Sequence, residues 1–476
     1  MGQEIGETHF EQRDFERFGA ALKRETALLG DWLAAGRCDA SPFIVGFELE
    51  AWLLDHSALP YPANEDYLKR LASPLVVPEL SKFNVELNGT PQPLRAGAFR
   101  RLEDELAATW RRCVSVAHEM DGTLLAIGTL PTIRARDLTL ASMSRRNRYY
   151  ALNEQVLKAR GGHPLNIRID GRESLALEHN DVMLEAAATS FQVHLQVPAP
   201  RLARYHNASA ILSAPLVAIA ANSPFLFGRD LWDETRIPLF EQAIDLGLTR
   251  EDHLHRVTFG SGYVKSTPLE EFEENQRVFP VLLPTKIEGA ADRMKHLRLH
   301  NGTIWRWNRL LVGFDEREQP HMRIEHRVMA AGPTIVDMIA NAALYVGAAH
   351  FLAERPRAPE ADLEFGVAHE NFYRAARHGL AAELTWFGGR SVDARTVVLE
   401  EIVPMAAEGL TRLGIDQAES ARYLDIVVQR ACTGQNGAQW QRDHAARHGR
   451  DWNRLVADYL EHQRSAVPVH EWEAAC

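Results

Sequence analysis

Four short segments of the chain alternate apolar and polar residues, and this alternation constrains the fold more than any other feature of the sequence. A β-strand turns successive side chains to opposite faces, so each segment predicts a strand with one covered face and one polar face. One-sided burial of this kind is typical of antiparallel sheets, whereas parallel strands are apolar on both faces. The segments are residues 44–52, 84–88, 190–197 and 323–328.

The polar faces of these four segments carry an unusual set of side chains. An ordinary solvated sheet face is rich in Lys, Thr and Ser, but these faces offer carboxylates, amides, an imidazole and guanidinium groups, and no Lys. The polar positions are Glu48 and Glu50; Asn84, Glu86 and Asn88; Ser190, Gln192, His194 and Gln196; and Arg323, Glu325 and Arg327. A solvated face explains any one segment alone, but the four together favour a functional site.

Four carboxylates converge if these strands are neighbours. Their mutual repulsion disfavours such a cluster unless cations neutralise it. Hard divalent cations with oxygen ligands do so, and Mg²⁺ is the usual ion where phosphate oxygens complete the coordination shell. Arginine does not ligate a metal, but Arg323 and Arg327 could hold a phosphoryl group as it is transferred.

Helical and strand-like patterns interleave along the rest of the chain. Apolar residues recur at helical spacing over residues 9–36, 99–120 and 335–352, and further strand-like runs cover residues 82–88, 123–128, 303–311 and 321–329. This order predicts an α+β fold with a mainly antiparallel sheet. Beyond residue 353 the pattern is almost entirely helical. We expect one domain over residues 1–353, including the N-terminal helix, and a helical region over residues 354–476 that packs on it.

The composition excludes several classes of protein. Of the 476 residues, 46% are hydrophobic and 25% are charged, as in soluble globular proteins. The net charge of −11 repels phosphate backbones and anionic lipids, so neither nucleic acid nor a membrane is an expected partner. The most apolar stretch, residues 208–227, contains Pro215 and Asn222, and we expect a buried helix that ends near Asn222.

The cysteines indicate neither a zinc knuckle nor a disulfide framework. They are far apart and form no CxxC pair, which favours a cytoplasmic location. The four are Cys38, Cys113, Cys432 and Cys476.

Two further segments carry arginine and aromatic residues. Residues 145–150 contain three Arg and two Tyr, among them Arg148, and they either meet nucleotide phosphates or form a solvated face. Alternation places Trp305 and Trp307 on one face with Arg309, where they either line a site or pack in the core.

These motifs together resemble the glutamate-cysteine ligase and carboxylate-amine ligase family, in its second, bacterial and plant branch. The resemblance covers residues 40–350 in order and spacing, and it extends into NFYRAARHGL at residues 371–380. There Asn371, Arg374 and His378 share one helix side, for which we favour a salt-bridged surface. The motifs are GFELE (46–50), ELN (86–88), TSFQVH (189–194), ANSPF (221–225), RIEHR (323–327) and GPT (332–334).

The resemblance implies a glutamine-synthetase-like catalytic domain, in which a curved antiparallel sheet forms a funnel with helices on its outer face. It assigns one Mg²⁺, or alternatively Mn²⁺, to three glutamates and a second ion to two glutamates and a histidine. Arg327 and Arg323 would be catalytic. The first ion would be held by Glu50, Glu79 and Glu86, and the second by Glu48, His194 and Glu325. Nucleotide would contact Arg327, Arg148 and Trp305, and substrate would contact Arg236 and Gln192.

The implied reaction is ATP-dependent amide formation through an acyl phosphate, with glutamate or a related carboxylate as one substrate and cysteine as a candidate amine. Two alternatives stay open from the sequence. One is a kinase that phosphorylates guanidino compounds, which would need a cysteine beside the motifs, and the other is a catalytically silent nucleotide or metal binder. The sequence is also compatible with a homo-oligomer.

Overall fold

The computed structural model describes residues 4–38, 42–247 and 254–473, so Cys476 lies outside the described residues. The α+β class is confirmed. The strands are β1 (Ile44–Asp55), β2 (Val76–Pro78), β3 (Asn84–Asn88), β4 (Gln92–Pro93), β5 (Gly122–Leu125), β6 (Leu165–Asp170), β7 (Ser174–His179), β8 (Phe191–Gln196), β9 (Phe225–Leu226), β10 (Arg229–Asp230), β11 (Val257–Thr258), β12 (Trp305–Arg306), β13 (Asn308–Phe314), β14 (Pro320–His326), β15 (Glu383–Trp386) and β16 (Arg390–Asp393).

Helices fill the intervals between the strands and most of the C-terminal region. They are α1 (Gln12–Ala34), α2 (Asn64–Leu71), α3 (Ala98–His118), α4 (Asn147–Ala159), α5 (Ala199–Ala220), α6 (Arg236–Ala243), α7 (Leu269–Val278), α8 (Lys295–Asn301), α9 (Ile335–Ala353), α10 (Phe365–His378), α11 (Ala394–Val397), α12 (Val403–Arg412), α13 (Gln417–Thr433), α14 (Gly437–His448) and α15 (Trp452–Ser465).

One curved eight-stranded sheet organises the molecule. Its strands run in the order β13-β14-β8-β1-β3-β2, and β4 and β5 pair with the two ends of β1. Every pairing within this sheet is antiparallel, as the sequence predicted. The four alternating segments therefore lie on four strands that are direct neighbours, β14, β8, β1 and β3.

The apolar face of this sheet is completely covered. Val45, Leu49, Val193 and Ile324 are each 0% exposed. Helices α3, α5 and α9 pack against this side, and α5 and α9 also pack against each other. The covered face is thus a rigid scaffold, and the polar residues that alternate with it all point to the opposite side.

The two most apolar helices are core helices. Helix α5 ends at Ala220, just before Asn222, which confirms the helix expected in residues 208–227. Among the described residues, α9 is the one helix long and apolar enough to cross a membrane. Of its apolar stretch, 89% is buried inside the protein, because the helix packs between the sheet and the C-terminal helices.

The C-terminal region is mostly helical, as predicted, but it also contains the hairpin β15–β16. Asn371 pins this hairpin, because its Nδ2 donates to the Thr385 carbonyl at 2.7 Å and its Oδ1 accepts from the Thr385 N–H at 2.9 Å. Asn371 is therefore buried, whereas we expected it on a salt-bridged surface. Arg374 lies on that surface, where it pairs with Glu370.

Buried polar contacts join the C-terminal region to the sheet side of the molecule. Arg430 donates to Asp337 Oδ1 and to Asn341 Oδ1, both at 2.7 Å, and all three side chains are almost fully buried. Gln441 donates to Asn222 Oδ1 at 2.9 Å. The domain boundary near residue 353 stays a prediction, but these contacts are those of a region that packs on the rest of the chain.

We expect Arg430→Ala to lower the free energy of unfolding by about 3–5 kcal/mol, because it leaves the buried Asp337 carboxylate without its partner. Denaturant unfolding followed by circular dichroism measures this change. Lys69→Ala is the control: Lys69 pairs with Asp66 on the surface, so its loss should cost less than about 0.5 kcal/mol. Equal effects of the two substitutions would contradict a clamping role for Arg430.

Candidate active site

A cavity of about 250 Å³ lies on the polar face of the sheet. Its other walls come from α4, α6, the short helical segment Val182–Ala187 and the chain before β12. No lysine is among its described lining residues. All of the residues predicted for the site line the cavity, except His194. The predicted residues that line it are Glu48, Glu50, Glu79, Glu86, Arg148, Gln192, Arg236, Trp305, Arg323, Glu325 and Arg327.

The first acidic group consists of Glu50, Glu79 and Glu86. Glu50 and Glu86 are direct cross-strand neighbours in the β1–β3 register, and Glu79 follows the last residue of β2. Glu50 is held in place by β8: it accepts from the Ser190 N–H at 2.6 Å, from Ser190 Oγ at 3.0 Å and from Gln192 Nε2 at 3.0 Å. The strand register therefore fixes this group.

The carboxyls of this group resist ionisation. Burial raises the pKa of Glu50 to about 7, although Arg327 opposes the change. Burial and the charge of Glu48 raise the pKa of Glu86 well above its usual range, and burial and Glu50 raise that of Glu79. The charge of Glu79 also raises the pKa of Glu86. A divalent cation would offset the repulsion among these three carboxylates, so their oxygen donors suit a hard metal ion.

The second acidic group consists of Glu48, His194 and Glu325. One ligand atom from each residue lies within 4.8 Å of the other two. Glu325 and His194 are register partners of β14 and β8, and His194 Nε2 lies 3.2 Å from Glu48 Oε1. The sequence resemblance assigned these three residues to one ion, and the structure brings them together; their role as ligands stays a prediction.

Arginines already neutralise much of the charge on this second group. Arg309 donates to both oxygens of Glu325 at 2.9 Å, and Arg327 Nε donates to Oε2 at 3.0 Å. Burial would raise the pKa of Glu325, but Arg309 and Arg327 outweigh it and hold the pKa at about 2. A carboxylate oxygen can accept two hydrogen bonds. Oε1 accepts one here, from Arg309, so it keeps one lone pair that a cation could use.

The hydrogen bonds of His194 set a condition on metal binding. Its Nδ1 accepts from Arg323 Nε at 3.1 Å. A neutral imidazole has one nitrogen that accepts and one that carries hydrogen, so Nε2 is protonated in this arrangement. A cation could bind Nε2 only after Arg323 released Nδ1. The second acidic group therefore has the spacing of a metal site, and it fits an ion after Arg323 moves.

The arginines predicted to bind substrate and nucleotide differ in their surroundings. Arg236 is held by bonds within the protein: its Nε donates to Glu234 Oε1 at 3.2 Å and its Nη2 to the Val328 carbonyl at 2.6 Å. Arg148 donates to the hydroxyl of Tyr149, and the charges of Tyr149, Glu79 and Glu86 raise its pKa against the effect of burial. In residues 145–150 only Arg148 and Tyr149 line the cavity, and the other arginines and Tyr150 are exposed.

Trp305 and Trp307 both contact the ring of Phe240, but of the two only Trp305 is among the residues that line the cavity. Trp305 lines the cavity and contacts Phe240 edge to face at 6.1 Å between ring centroids. Trp307 is 0% exposed and its Nε1 donates to Glu241 Oε1 at 2.9 Å, outside the lining of the cavity. Because β12 ends at Arg306 and β13 begins at Asn308, Trp307 lies between the two strands.

Sequence reasoning did not assign Arg309 or Glu185 to the site. Arg309 is the register partner of Glu325, and its position on the β13 face was the signal that could have found it. Glu185 lines the cavity from the segment Val182–Ala187. Burial together with the charges of Glu79 and Glu50 raises the pKa of Glu185 well above its usual range. A short helical segment has no alternation, so the sequence offered no signal for Glu185.

Comparison with protein families identifies the class to which this site belongs. Residues 44–458 match the model of glutamate-cysteine ligase family 2. This match spans most of the chain, so the protein belongs to glutamate-cysteine ligase family 2. The membership confirms the resemblance drawn from the motifs and indicates a ligase.

Solved structures show the same fold. The chain is similar to the glutamate-cysteine ligase of Francisella tularensis in complex with AMP, with a TM-score of 0.55 and 11% identity over 92% of this chain and 91% of that one. It is also similar to a bifunctional glutathione synthetase from Pasteurella multocida, with a TM-score of 0.50 and 11% identity over 93% of this chain and 55% of that one. A comparison with curated protein sequences gives no match.

We expect Glu86→Gln to stabilise the metal-free protein, and to do so more strongly as the pH rises. The folded-state pKa of Glu86 is raised, so its contribution to stability is complete below its unfolded pKa and is lost as the pH rises through the folded value. Glutamine removes that loss. Thermal melts in EDTA from pH 5 to pH 9 should show a melting temperature above that of the wild type, with a difference that grows with pH.

The same substitution should reduce the stabilisation that Mg²⁺ gives, because it removes one charged oxygen ligand. Glu400→Gln is the control, since Glu400 is exposed and lies outside the cavity. If Glu86→Gln lowered the melting temperature in EDTA at every pH, the repulsion inferred for the first acidic group would be wrong.

Proposed function

We propose that the protein is an ATP-dependent carboxylate-amine ligase, similar to glutamate-cysteine ligase, that forms an amide through an acyl phosphate. One observation carries this proposal: a single cavity brings together two acidic groups and several arginines, including Arg309, Arg323 and Arg327. Such a site can hold a polyphosphate with its metal ions and a second anion at the same time. Membership of the family supports the same reaction class.

ATP and Mg²⁺, with Mn²⁺ as the alternative ion, are the proposed cofactors. Glu50, Glu79 and Glu86 would hold one ion, and Glu48, Glu325 and His194 a second. Bound metal supplies charge neutralisation for the phosphate oxygens and for the incoming carboxylate, so that two anions can meet. The AMP complex of the Francisella tularensis ligase supports a nucleotide in this fold.

Arg327 is the proposed contact to the transferred phosphoryl group. Two nitrogens of its guanidinium are fixed by side chains on the neighbouring strands β14 and β8. Nε donates to Glu325, and Nη2 donates to Gln192 Oε1 at 2.9 Å. Gln192 in turn donates to Glu50, so it links the arginine to the first acidic group. A guanidinium that is held before the reaction begins pays no reorganisation as charge spreads in the transition state.

The proposed substrates are a small carboxylate, with glutamate as the first candidate, and an amine, with cysteine as the first candidate. Arg236 and Gln192 are the proposed substrate contacts. Arg236 already bonds Glu234 and two backbone carbonyls, so it would position substrate through the N–H groups that these bonds leave free. Trp305 and Arg148 are the proposed contacts to nucleotide.

The other two functions considered from the sequence have less support. A guanidino kinase would need a cysteine in the site, and none of the described cysteines lines the cavity. A silent relative would be expected to lack part of the proposed ligand set, yet the four strand glutamates, His194 and Arg327 are all present.

Release of phosphate from ATP tests the ligase reaction directly. The purified protein is incubated with ATP, Mg²⁺, glutamate and a panel of amines that includes cysteine, and phosphate and product mass are measured. We expect phosphate release that needs both the carboxylate and an amine, with a product equal in mass to their amide. Phosphorylation of a guanidino compound, or no turnover with any pair, would contradict the proposal.

We expect Arg327→Lys to fold and to lose on the order of 10²-fold in turnover, because lysine keeps the charge but loses the planar, two-pronged donor. The Michaelis constant for ATP should change much less, since the loss falls mainly on the transition state. Steady-state kinetics and a thermal melt measure the two effects. Arg146→Lys, on the exposed part of residues 145–150, is the control. Near-normal turnover with a lowered melting temperature would show that Arg327 only braces the sheet.

A further inference from the structure

A second cleft lies away from the catalytic cavity, and no described residue lines both. It has a volume of about 340 Å³. Five parts of the chain meet there: the turn between β6 and β7, the segment between β10 and α6, the end of α10, the β16–α11 turn and the start of α14. The lining residues that carry charge or can titrate are Arg172, Asp233, His378, Asp393 and Arg395.

Both aspartates of this cleft accept hydrogen bonds from other residues of the protein. Asp233 Oδ1 accepts from Arg442 Nη1. Asp393 caps α11, because its carboxylate accepts from the Thr396 N–H at 2.9 Å and from Thr396 Oγ1 at 2.7 Å. Each of these acids therefore already has a partner of its own within the protein.

The two arginines of the cleft are far less engaged. The Arg395 guanidinium donates to the Cys432 carbonyl and has no carboxylate within 4 Å among the described residues. The nearest carboxylate oxygen to Arg172 is Oδ2 of Asp230, at 4.0 Å, and Asp230 already pairs with Arg442 at 2.8 Å. Most of the N–H groups of these two guanidiniums are thus available to a ligand.

His378 also lines the cleft. Burial lowers its pKa, and the charge of Arg377 lowers it further against the opposing effect of Asp233. The neutral imidazole is therefore favoured, and it offers a hydrogen-bond donor or acceptor to a ligand. The stripe of Asn371, Arg374 and His378 noted in the sequence thus divides by function: Asn371 pins a hairpin, Arg374 lies on the surface and His378 lines this cleft.

A short segment of chain connects this cleft to the catalytic cavity. Asp233 lines the cleft, and the next residue, Glu234, bonds Arg236, which lines the catalytic cavity. The same segment is bonded to the end of α10, because the N–H of Asp233 donates to the Arg377 carbonyl at 3.3 Å and that of Glu234 to the Ala376 carbonyl at 2.8 Å. A ligand that draws the cleft walls together would act on Arg236 through three residues.

We propose that the second cleft is a regulatory site for a small anion bearing carboxylate or phosphate groups, bound between Arg172 and Arg395. Binding alters the position of Arg236 and hence the affinity of the catalytic cavity for its carboxylate substrate. The second step rests on the proposed ligase function, whereas the binding step does not.

Titration calorimetry with inorganic phosphate and with citrate, at constant ionic strength and without nucleotide, tests the binding step. We expect saturable binding of one anion per chain, weakened about tenfold or more in the double variant Arg172→Ala/Arg395→Ala. The two probes distinguish a phosphate ligand from a polycarboxylate. Arg374→Ala is the matched control, because it removes an arginine of α10 that lies outside the cleft, and it should bind as the wild type does.

Three outcomes would overturn the binding step: no saturable binding, equal weakening by Arg374→Ala, or weakening by Arg327→Lys and not by the double variant, which would place the anion in the catalytic cavity. Kinetics test the regulatory step. The anion should shift the Michaelis constant for the carboxylate about threefold in the wild type, with no shift in the double variant. An unchanged constant with intact binding would overturn the regulation, and absence of any turnover would instead contradict the ligase proposal.

Discussion

Repulsion among buried carboxylates is the constraint on which the rest of this structure depends. Alternation along β1, β3 and β14 directs four glutamates to one side of one sheet, where they have little water to screen them. The protein answers this repulsion in two ways. It brings arginines against one acidic group, and burial raises the pKa of the carboxyls of the other, which favours their protonated form.

The two acidic groups are therefore not equivalent, although a sequence reading treats them alike. Glu325 is ionised well below neutral pH because Arg309 and Arg327 surround it. Burial and like charges raise the pKa of Glu50 and of Glu86, and amide, hydroxyl and backbone groups donate hydrogen bonds to them. Arginines balance less of the charge here than around Glu325, so a divalent cation would gain more at the first group.

The fold holds this strained arrangement by making its other face completely apolar. Residues of β1, β8 and β14 that alternate with the glutamates are buried under α3, α5 and α9. The C-terminal helices then fix α9 through the buried contacts of Arg430, and they fix the chain beside Asn222 through Gln441. Rigid support of this kind keeps the polar face in register, which is what a site with several charged groups needs.

The sequence by itself determined the strand faces, because a period of two is a local property of the backbone. It placed Glu48, Glu50, Glu86 and Glu325 on one polar face, and it placed the end of the apolar helix near Asn222. The motifs also determined the family, since their order along the chain needs no structure to be recognised.

Tertiary structure alone decided which groups meet. Trp307 is buried outside the cavity that Trp305 lines, and a hairpin that packs on α10 buried Asn371. Glu185 lines the site from a helical segment. Arg309 and Arg327 bond Glu325, whereas Arg323 bonds His194. These outcomes depend on contacts between residues far apart in the chain, and the free energy of such contacts is set by packing and by local charge, which no periodicity records.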